Sequence, residues 1–389
     1  MTLRDKSVEG QVTKSEQICN EVGAKFFCKD FVYENLKYYN ESNKRVELCD
    51  ALFEYGSIYV PLQIKERSKN KGGKSENSWL DEIVYVEAFE QIKATIEAIR
   101  TNNIEVNDLY HQAVKLNKNN LIFPLIVFDN PSIDDYQRVI IDEELKINVF
   151  KLEDYESMMN VIIHPYDIIY YLQERVNWVH NHTLPNIVIG ESLNGIFISN
   201  VKTEEDFSAF FKRYIYDGQD DKQREALRHL ALIGSFRERQ MKRNPNYKQI
   251  VKILQLVEPK IASDFMARFD YAWACACQNK FDYTKAIQVR LDGKSTSIVF
   301  FSIGRRELSS KDYYQILCDA KQQQHKADAV LLIVFIGNEN GQCRNDWVYF
   351  EKEYVADDKV LKFYEEIGMF NGLMDFDIYE QLCEKMLKN

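Results

Sequence analysis

Two strand-like runs joined by a short turn, with a long amphipathic helix and an apolar strand behind them, restrict this chain to few folds. The runs are Val46–Phe53 and Ile58–Lys65, and the intervening Glu54–Ser57 contains a glycine and favours a hairpin. Apolar residues at helical spacing predict a helix from about Trp79 to Arg100, and Leu121–Phe128 is a continuous apolar run of strand length. Continuous runs are typical of strands buried on both faces, so we expect a sheet covered by helices.

A further helix is predicted before the hairpin, over about Ala24–Tyr39, because Phe27, Phe31 and Leu36 fall on one helical face. In the later, longer helix the same periodicity assigns Val86 to the buried side. The resulting order, α-β-β-α-β, predicts an α/β fold in which one mixed sheet is flanked by helices.

The pattern changes after about residue 135. A hairpin over 139–152, helices interrupted at Pro165, two short strands within 186–199 and a mainly helical stretch over 203–279 are predicted. Strands at Ser297–Ile303 and Ala329–Ile336 follow, with a helix between them and helices from there to the C-terminus. At roughly 100–200 residues per domain, this length predicts two domains. We expect a flexible N-terminus (1–20), an α/β domain (21–135), a connecting hairpin and helices (136–185) and a second, helix-rich α/β domain (186–389).

Composition excludes several classes of protein. No apolar run reaches the roughly 18 residues of a membrane helix, and no apolar secretory segment follows the N-terminus, so we expect a cytoplasmic protein without a membrane partner. The eight cysteines form no CxxC pair, which argues against a disulfide framework or a zinc site. The net charge of −10 argues against a generally basic surface, although local patches decide nucleic-acid binding. The sequence contains no phosphate-binding loop of the GxxxxGK[ST] type and no GxGxxG, HExxH or GxSxG motif.

Asp50, Gln63 and Lys65 are predicted to share one face of the hairpin. Residues two apart in a strand point the same way, and a two- or four-residue turn, with Phe53 facing Ile58, places Asp50 diagonal to Gln63. A three-residue turn or a bulge would break this parity. A carboxylate among apolar neighbours needs a partner, and a carboxylate with an amide oxygen suits Mg²⁺ or Mn²⁺. A nearby ammonium would stabilise the charge that develops on a phosphate.

This pattern, an aspartate, twelve residues, then Gln-x-Lys on adjacent predicted strands, resembles the PD-(D/E)xK (restriction endonuclease-like) nuclease superfamily. The Gln-x-Lys variant is similar to Mrr-type nucleases, and the resemblance covers about residues 24–130. It implies Asp50, Gln63 and Lys65 as catalytic residues. Many members add a glutamate from the first helix, and Glu34 matches it here, so the implied metal ligands are Asp50, Gln63 and Glu34. The chain departs from the family in lacking a proline before Asp50 and in replacing the second carboxylate with Gln63.

The resemblance implies a metal-dependent endonuclease that hydrolyses DNA phosphodiesters in bacterial restriction or anti-phage defence. A single site cuts one strand, so cutting both strands predicts a homodimer or higher oligomer, and a protein partner of a defence system is a further expectation. The alternative function is a catalytically inactive nuclease-fold scaffold or partner-binding subunit of a defence complex. Purely structural roles for the three residues also stay open. Asp50 could be a buried acceptor of backbone N–H bonds, Lys65 could protect a sheet edge, and Glu34 could be a solvated helix residue.

Two basic clusters are candidates for phosphate contacts, which would be sequence-independent and salt-dependent. One follows Lys65 in a glycine-containing loop, and the other lies at a predicted helix end. Each is also compatible with a solvated surface. The predicted nucleic-acid-binding residues are Arg67, Lys69, Lys71, Lys74, Arg237, Arg239, Lys242 and Arg243.

Overall fold

The computed structural model describes most of the chain and divides it into two units. The units are residues 1–224 and 225–389, and both combine helices with mixed sheets, which confirms the predicted α/β class. Residues 136–224, assigned above to a connector and to the second domain, belong to the first unit. The described residues are 13–27, 29–34, 36–39, 45–67, 75–108, 112–142, 145–162, 164–179, 183–192, 195–217, 219–280, 282–283, 286–291, 293–303, 311–338, 340–352, 354–355 and 358–366.

The first unit is built on one mixed sheet with helices on its faces. Its strands are β1 (Val32–Glu34), β2 (Lys37–Tyr39), β3 (Arg45–Glu47), β4 (Ala51–Tyr55), β5 (Ile58–Glu66), β6 (Glu105–Asn107), β7 (Ala113–Lys115), β8 (Leu121–Ile122), β9 (Leu125–Asp129), β10 (Val139–Asp142), β11 (Leu145–Lys151), β12 (Ile187–Ser192) and β13 (Gly195–Asn200). Its helices are α1 (Lys14–Phe27), α2 (Glu76–Trp79), α3 (Phe89–Thr101), α4 (Leu152–Val161), α5 (Pro165–Trp178) and α6 (Glu204–Ile215), and a π-helical segment, Leu80–Ala88, joins α2 to α3. The sheet order is β1-β4-β5-β9-β11-β10, antiparallel from β1 to β5 and parallel from β5 through β9 to β11.

The hairpin β4–β5 forms as predicted, with the shorter, two-residue turn. Tyr55 pairs with Ile58, and Gly56 takes a φ of 55°, which a glycine adopts without strain at the first central position of a type II′ turn. Phe53 therefore pairs with Val60 and not with Ile58. The register shifts by two residues, and a shift of two keeps every side chain on its predicted face.

The predicted first helix is wrong. The helix is α1, which ends at Phe27, and a short 3-10 helix, Lys29–Phe31, then leads into β1 and β2. Phe31, Val32 and Tyr33 are consecutively buried, as expected of a strand covered on both faces. A short apolar run of this kind does not distinguish helix from strand by periodicity alone. Residues 14–20, expected in a flexible terminus, are helical.

The long helix that follows the hairpin contains a change of helical geometry. Ile92, Ile96 and Ile99 are buried as predicted, but Val86 is 54% exposed. Val86 lies in the π-helical segment, where i→i+5 bonding adds a residue to the turn and rotates the apolar stripe away from the 3.6-residue expectation. The predicted strand over Leu121–Phe128 is likewise interrupted, because Pro124 separates β8 from β9.

The second unit contains another mixed sheet. Its strands are β14 (Asp282–Tyr283), β15 (Ile287–Leu291), β16 (Lys294–Ile303), β17 (Ala329–Gly337) and β18 (Cys343–Glu351), and the helices are α7 (Asp220–Gln240, crossing the boundary), α8 (Tyr247–Gln255), α9 (Pro259–Cys277), α10 (Lys311–His325) and α11 (Asp358–Glu366). The order is β14-β16-β17-β18, with β15 also on β16, and only β16–β17 is parallel. Helix α10 packs on the face of Phe301, and α9 on the opposite face of Phe300. The helices predicted directly after β17 are wrong, because β18 occupies that stretch.

Both units share one sequence of elements: an antiparallel hairpin, a helix, and a strand parallel to the second hairpin strand. These are β4–β5, α3 and β9 in the first unit, and β15–β16, α10 and β17 in the second. Near the end of β16, Asp282 pairs with Ser302, where the first unit sets Asp50 opposite Gln63. The second unit therefore has one carboxylate near that place but no Gln-x-Lys on β16.

Candidate metal-binding and catalytic site

Asp50 and Gln63 meet across the hairpin. Asp50 directly precedes β4, whose first residue, Ala51, pairs with Leu62 on β5, so Asp50 lies opposite Gln63 and not diagonal to it. The Gln63 side-chain amide donates to Asp50 Oδ2 at 2.6 Å, and the main-chain N–H of Ile64 donates to the same oxygen at 2.6 Å. The Asp50 carboxylate thus provides an acceptor for the main-chain N–H of Ile64 on β5, just before β4 begins. Two of the predicted catalytic residues are in direct contact.

The environment of Asp50 shifts the pKa of its carboxyl toward neutral pH. Burial raises the pKa of its carboxyl from 3.8 to about 7, and the negative charges of Glu16 and Glu47 act in the same direction. The Ile64 N–H bond and the Lys65 ammonium oppose that increase without cancelling it. A carboxyl of this kind takes up either a proton or a cation near neutral pH, which is a property common at functional sites.

Lys65 extends toward the long helix on the same face of the sheet. Its side chain is 12% exposed, and its Nζ lies 3.2 Å from Glu87 Oε1 and 2.5 Å from Gln91 Oε1. Its charge also reaches Asp50, whose pKa it lowers. Lys65 pairs with Phe128 on β9, but the pairing of β5 with β4 extends only to Leu62, so Lys65 lies near the strand end, past the β4 ladder. The edge-guarding interpretation of Lys65 therefore stays open.

Glu16 is the glutamate of the first helix whose charge acts on Asp50, and it was not among the residues predicted from the sequence. Glu34 lies on β1, where it pairs with Ala51, and so the prediction that Glu34 sits on a helix is wrong. Glu16 lies in the first turn of α1 and forms a capping box with Thr13: Thr13 Oγ1 accepts from the Glu16 N–H at 3.2 Å, and Glu16 Oε2 accepts from the Thr13 N–H at 2.8 Å. The Thr13-x-x-Glu16 spacing is the sequence signal that would have located this helix and its glutamate.

The same end of the sheet contains two more carboxylates. Glu66 and Asp129 are paired residues at the carboxyl ends of the parallel strands β5 and β9. The buried Ser15 hydroxyl lies 2.9 Å from Glu66 Oε2 and 3.2 Å from Asp129 Oδ2. This contact ties the first turn of α1 to the strand ends and keeps Glu16 near Asp50. The carboxyl ends of parallel strands are where open α/β sheets bind ligands.

The oxygen donors present suit a weakly held divalent cation. Asp50 Oδ2 already accepts two hydrogen bonds, so its other oxygen and the Gln63 amide oxygen are the donors left for an ion. Across the described residues, no group of three His, Cys, Asp or Glu side chains converges closely enough to hold a metal. Mg²⁺ keeps several waters and is commonly bound through one or two carboxylates and substrate phosphates, so this donor set fits an ion completed by its substrate. A contribution from Glu34 stays a prediction.

The predicted nucleic-acid-binding residues fall into four groups. Arg67 forms an ion pair with Glu76, and Glu76 also accepts a hydrogen bond from Asn130 Nδ2 at 2.6 Å. The Arg67 guanidinium is therefore already engaged within the first unit. Arg237 is half-buried on α7. Lys69, Lys71 and Lys74 lie outside the described residues, and Arg239, Lys242 and Arg243 are exposed around the end of α7.

In comparisons with known proteins, no family model, curated protein or solved structure matches this chain. None of the described helices combines the length and apolarity that crossing a bilayer requires.

Proposed function

We propose that the first unit is a metal-dependent endonuclease that hydrolyses DNA phosphodiesters at Asp50, Gln63 and Lys65. The observation that carries the proposal is the Asp50–Gln63 contact at 2.6 Å, made by a carboxyl whose pKa is raised to about 7. Burying a carboxylate beside other acids lowers stability, and a bound cation would relieve that cost. If this residue had only a structural role, an asparagine would be more stable here, because it accepts the same two hydrogen bonds without burying a charge.

The arrangement of elements also supports the proposal. A hairpin carries the aspartate and the Gln-x-Lys, the long helix follows, and β9 then returns parallel to β5. The nuclease superfamily that the sequence resembles implies this order of elements, and α1 supplies Glu16, whose negative charge raises the Asp50 pKa.

Each side chain has a distinct role in the proposed reaction. Asp50 and Gln63 would hold Mg²⁺ or Mn²⁺, which when bound lowers the pKa of a coordinated water and neutralises phosphate charge. Asp50 releases its proton before it serves as a ligand, so its raised pKa sets the lower pH limit of activity. Lys65, oriented by its contacts on the long helix, supplies positive charge to the scissile phosphate as negative charge develops.

Plasmid cleavage tests the proposal. Supercoiled DNA is incubated with the full-length protein and Mg²⁺ or Mn²⁺, with EDTA as the metal-free arm. We expect nicking or linearisation that EDTA and Lys65→Ala abolish and that Lys146→Ala preserves, because Lys146 is an exposed strand lysine of the same unit. Cleavage unchanged in Lys65→Ala would refute the assignment of the site.

The biological setting belongs to the same proposal. Restriction or anti-phage defence in the cytoplasm follows from the nuclease resemblance alone, which is an argument from fold. Cutting both strands requires two sites, so we expect a homodimer or higher oligomer, and sedimentation analysis of the purified protein measures it.

A second candidate function is an inactive scaffold or partner-binding subunit of a defence complex. It is favoured by the amide at the second acidic position, where Gln63 donates to Asp50, and by the pairing of Lys65 with Glu87. An inactive protein would neither cut nucleic acid nor gain stability from divalent cations. Thermal unfolding with and without Mg²⁺ therefore separates the two functions.

A further inference from the structure

The second unit contains an open cleft of about 560 Å³ that no part of the proposed nuclease site uses. Three elements line it: the end of α7 with the turn that follows, Trp273 on α9, and the start of β18. The lining residues are Glu238, Arg239, Gln240, Met241, Lys242, Arg243, Trp273, Cys343, Arg344 and Asn345. Clefts of this volume are typical of small-ligand sites.

Packing beneath the cleft holds these elements in place. Asn244 Nδ2 donates to the Trp347 carbonyl at 3.0 Å, and the Phe236 and Trp347 rings lie 4.6 Å apart, which ties α7 and its turn to β18. Gly337 lets β17 approach α9 so closely that a Cβ added there would lie 1.9 Å from the Ala276 carbonyl oxygen. The cleft is therefore formed on packed elements.

Positive charge dominates the lining. Arg239, Lys242, Arg243 and Arg344 are exposed, and Glu238 is the one acidic residue among the described residues that line the cleft. Among the described residues, none of the four cationic side chains has an ion-pair or hydrogen-bond partner. Unpaired cations that converge on a concave surface repel one another and raise the local concentration of anions. Arginines are also the side chains best suited to bidentate contact with phosphate.

The aromatic residue beside these cations has a free surface. Trp273 is 39% exposed although it lies in the cleft, and its ring meets Phe335 edge-to-face with centroids 6.0 Å apart. That contact orients the indole while leaving part of it open. Aromatic side chains next to a positively charged groove are the usual platform for stacked bases. Burial raises the pKa of the neighbouring Cys343 thiol to about 11, so it adds no negative charge.

We propose that this cleft binds a nucleotide, with its phosphates on Arg239, Arg344 and the adjacent cations and its base on Trp273. The nucleotide is either free or one unit of a single-stranded nucleic acid, because both present the same chemistry. The site lies within the second unit and does not depend on the proposed nuclease activity.

Fluorescence anisotropy with the full-length protein measures binding at the cleft, and EDTA in the buffer prevents any metal-dependent cleavage of the probe. The probe is a fluorescein-labelled oligothymidylate of about 12 nucleotides. We expect Arg239→Gln/Arg344→Gln to weaken binding at least tenfold and to reduce the slope of log K against log salt by about 1.4, since two single-strand phosphate contacts are lost. Arg290→Gln, an exposed arginine on β15, is the matched control and leaves both values unchanged.

Trp273→Ala separates base stacking from phosphate binding. It is expected to weaken oligothymidylate binding about tenfold and to leave an abasic oligomer of equal length unaffected. Competition by ATP at a similar affinity identifies a free nucleotide, whereas competition only by unlabelled oligomer identifies a strand. The proposal is overturned if no probe binds, if inorganic phosphate competes as well as ATP, or if the cleft variants bind like the wild type. Thermal unfolding verifies that each variant is folded.

Discussion

Replacing Asp50 with asparagine tests the strain attributed to its carboxyl. The substitution keeps an oxygen that accepts from Ile64 N and Gln63 Nε2, but it removes the charge. In the folded protein the pKa is raised from 3.8 to about 7, so the protonated carboxyl is the form that the fold favours. Its stabilising effect is complete below about pH 3.8 and is lost as the pH rises to about 7.

The magnitude follows from that difference in pKa. A change from 3.8 to about 7 corresponds to about 4 kcal/mol of folding free energy at pH values above 7. Asp50 is not fully buried, and so we expect Asp50→Asn to raise the free energy of unfolding by about 2–3 kcal/mol at pH 8.5 and by much less at pH 5.

Urea unfolding at both pH values, followed by tryptophan fluorescence and far-UV circular dichroism, measures this change. Two probes are needed because the chain contains two units, and a chain of more than one domain need not unfold in a single transition. The matched control is Asp81→Asn, an exposed aspartate of the π-helical segment, for which we expect a change within about 0.5 kcal/mol at either pH. Equal effects of Asp50→Asn at pH 5 and pH 8.5, or lower stability at pH 8.5, would refute the reasoning.

Three further predictions concern the metal, the helix α1 and the cleft. Mg²⁺ at ten times its dissociation constant should stabilise the wild type by about 1.4 kcal/mol at pH 8 and Asp50→Asn by nothing, as measured by thermal unfolding. Glu16→Gln should lower the Asp50 pKa measured by carboxyl carbon NMR, while Glu21→Gln on the exposed side of α1 should not. Gly337→Ala should lower the free energy of unfolding by about 1–3 kcal/mol, because the new methyl group meets the main chain of α9. Gly234→Ala has open space around it and should stabilise α7 by about 0.5–1 kcal/mol. The reverse order of the two effects would contradict the packing.

Local patterns were enough to predict the hairpin and the shared face of Asp50 and Gln63. Side-chain parity in a strand depends only on position along the chain, so a register error of two residues left the predicted face intact. Pro165 at the start of α5 and the β10–β11 hairpin were predicted for similar reasons, since proline and turn residues act on their immediate neighbours.

Other features depended on contacts that sequence spacing does not encode. Glu16 reaches the site because Ser15 binds the ends of β5 and β9, more than 50 residues away in the chain. Val86 is exposed because the π-helical segment rotates the stripe, and β18 is a strand because β17 offers it an edge. Periodicity describes a residue's neighbours along one element and carries no information on which elements meet.

The sequence by itself determined the α/β class, the hairpin and the shared face of Asp50 and Gln63, because strand parity, turn chemistry and apolar runs are local properties. Only the tertiary structure decided that Asp50 accepts from Gln63, that Glu16 and not Glu34 lies on the first helix, and that Trp273 and Arg344 border one cleft. These facts arise from packing between distant segments, where burial and electrostatics depend on the assembled fold.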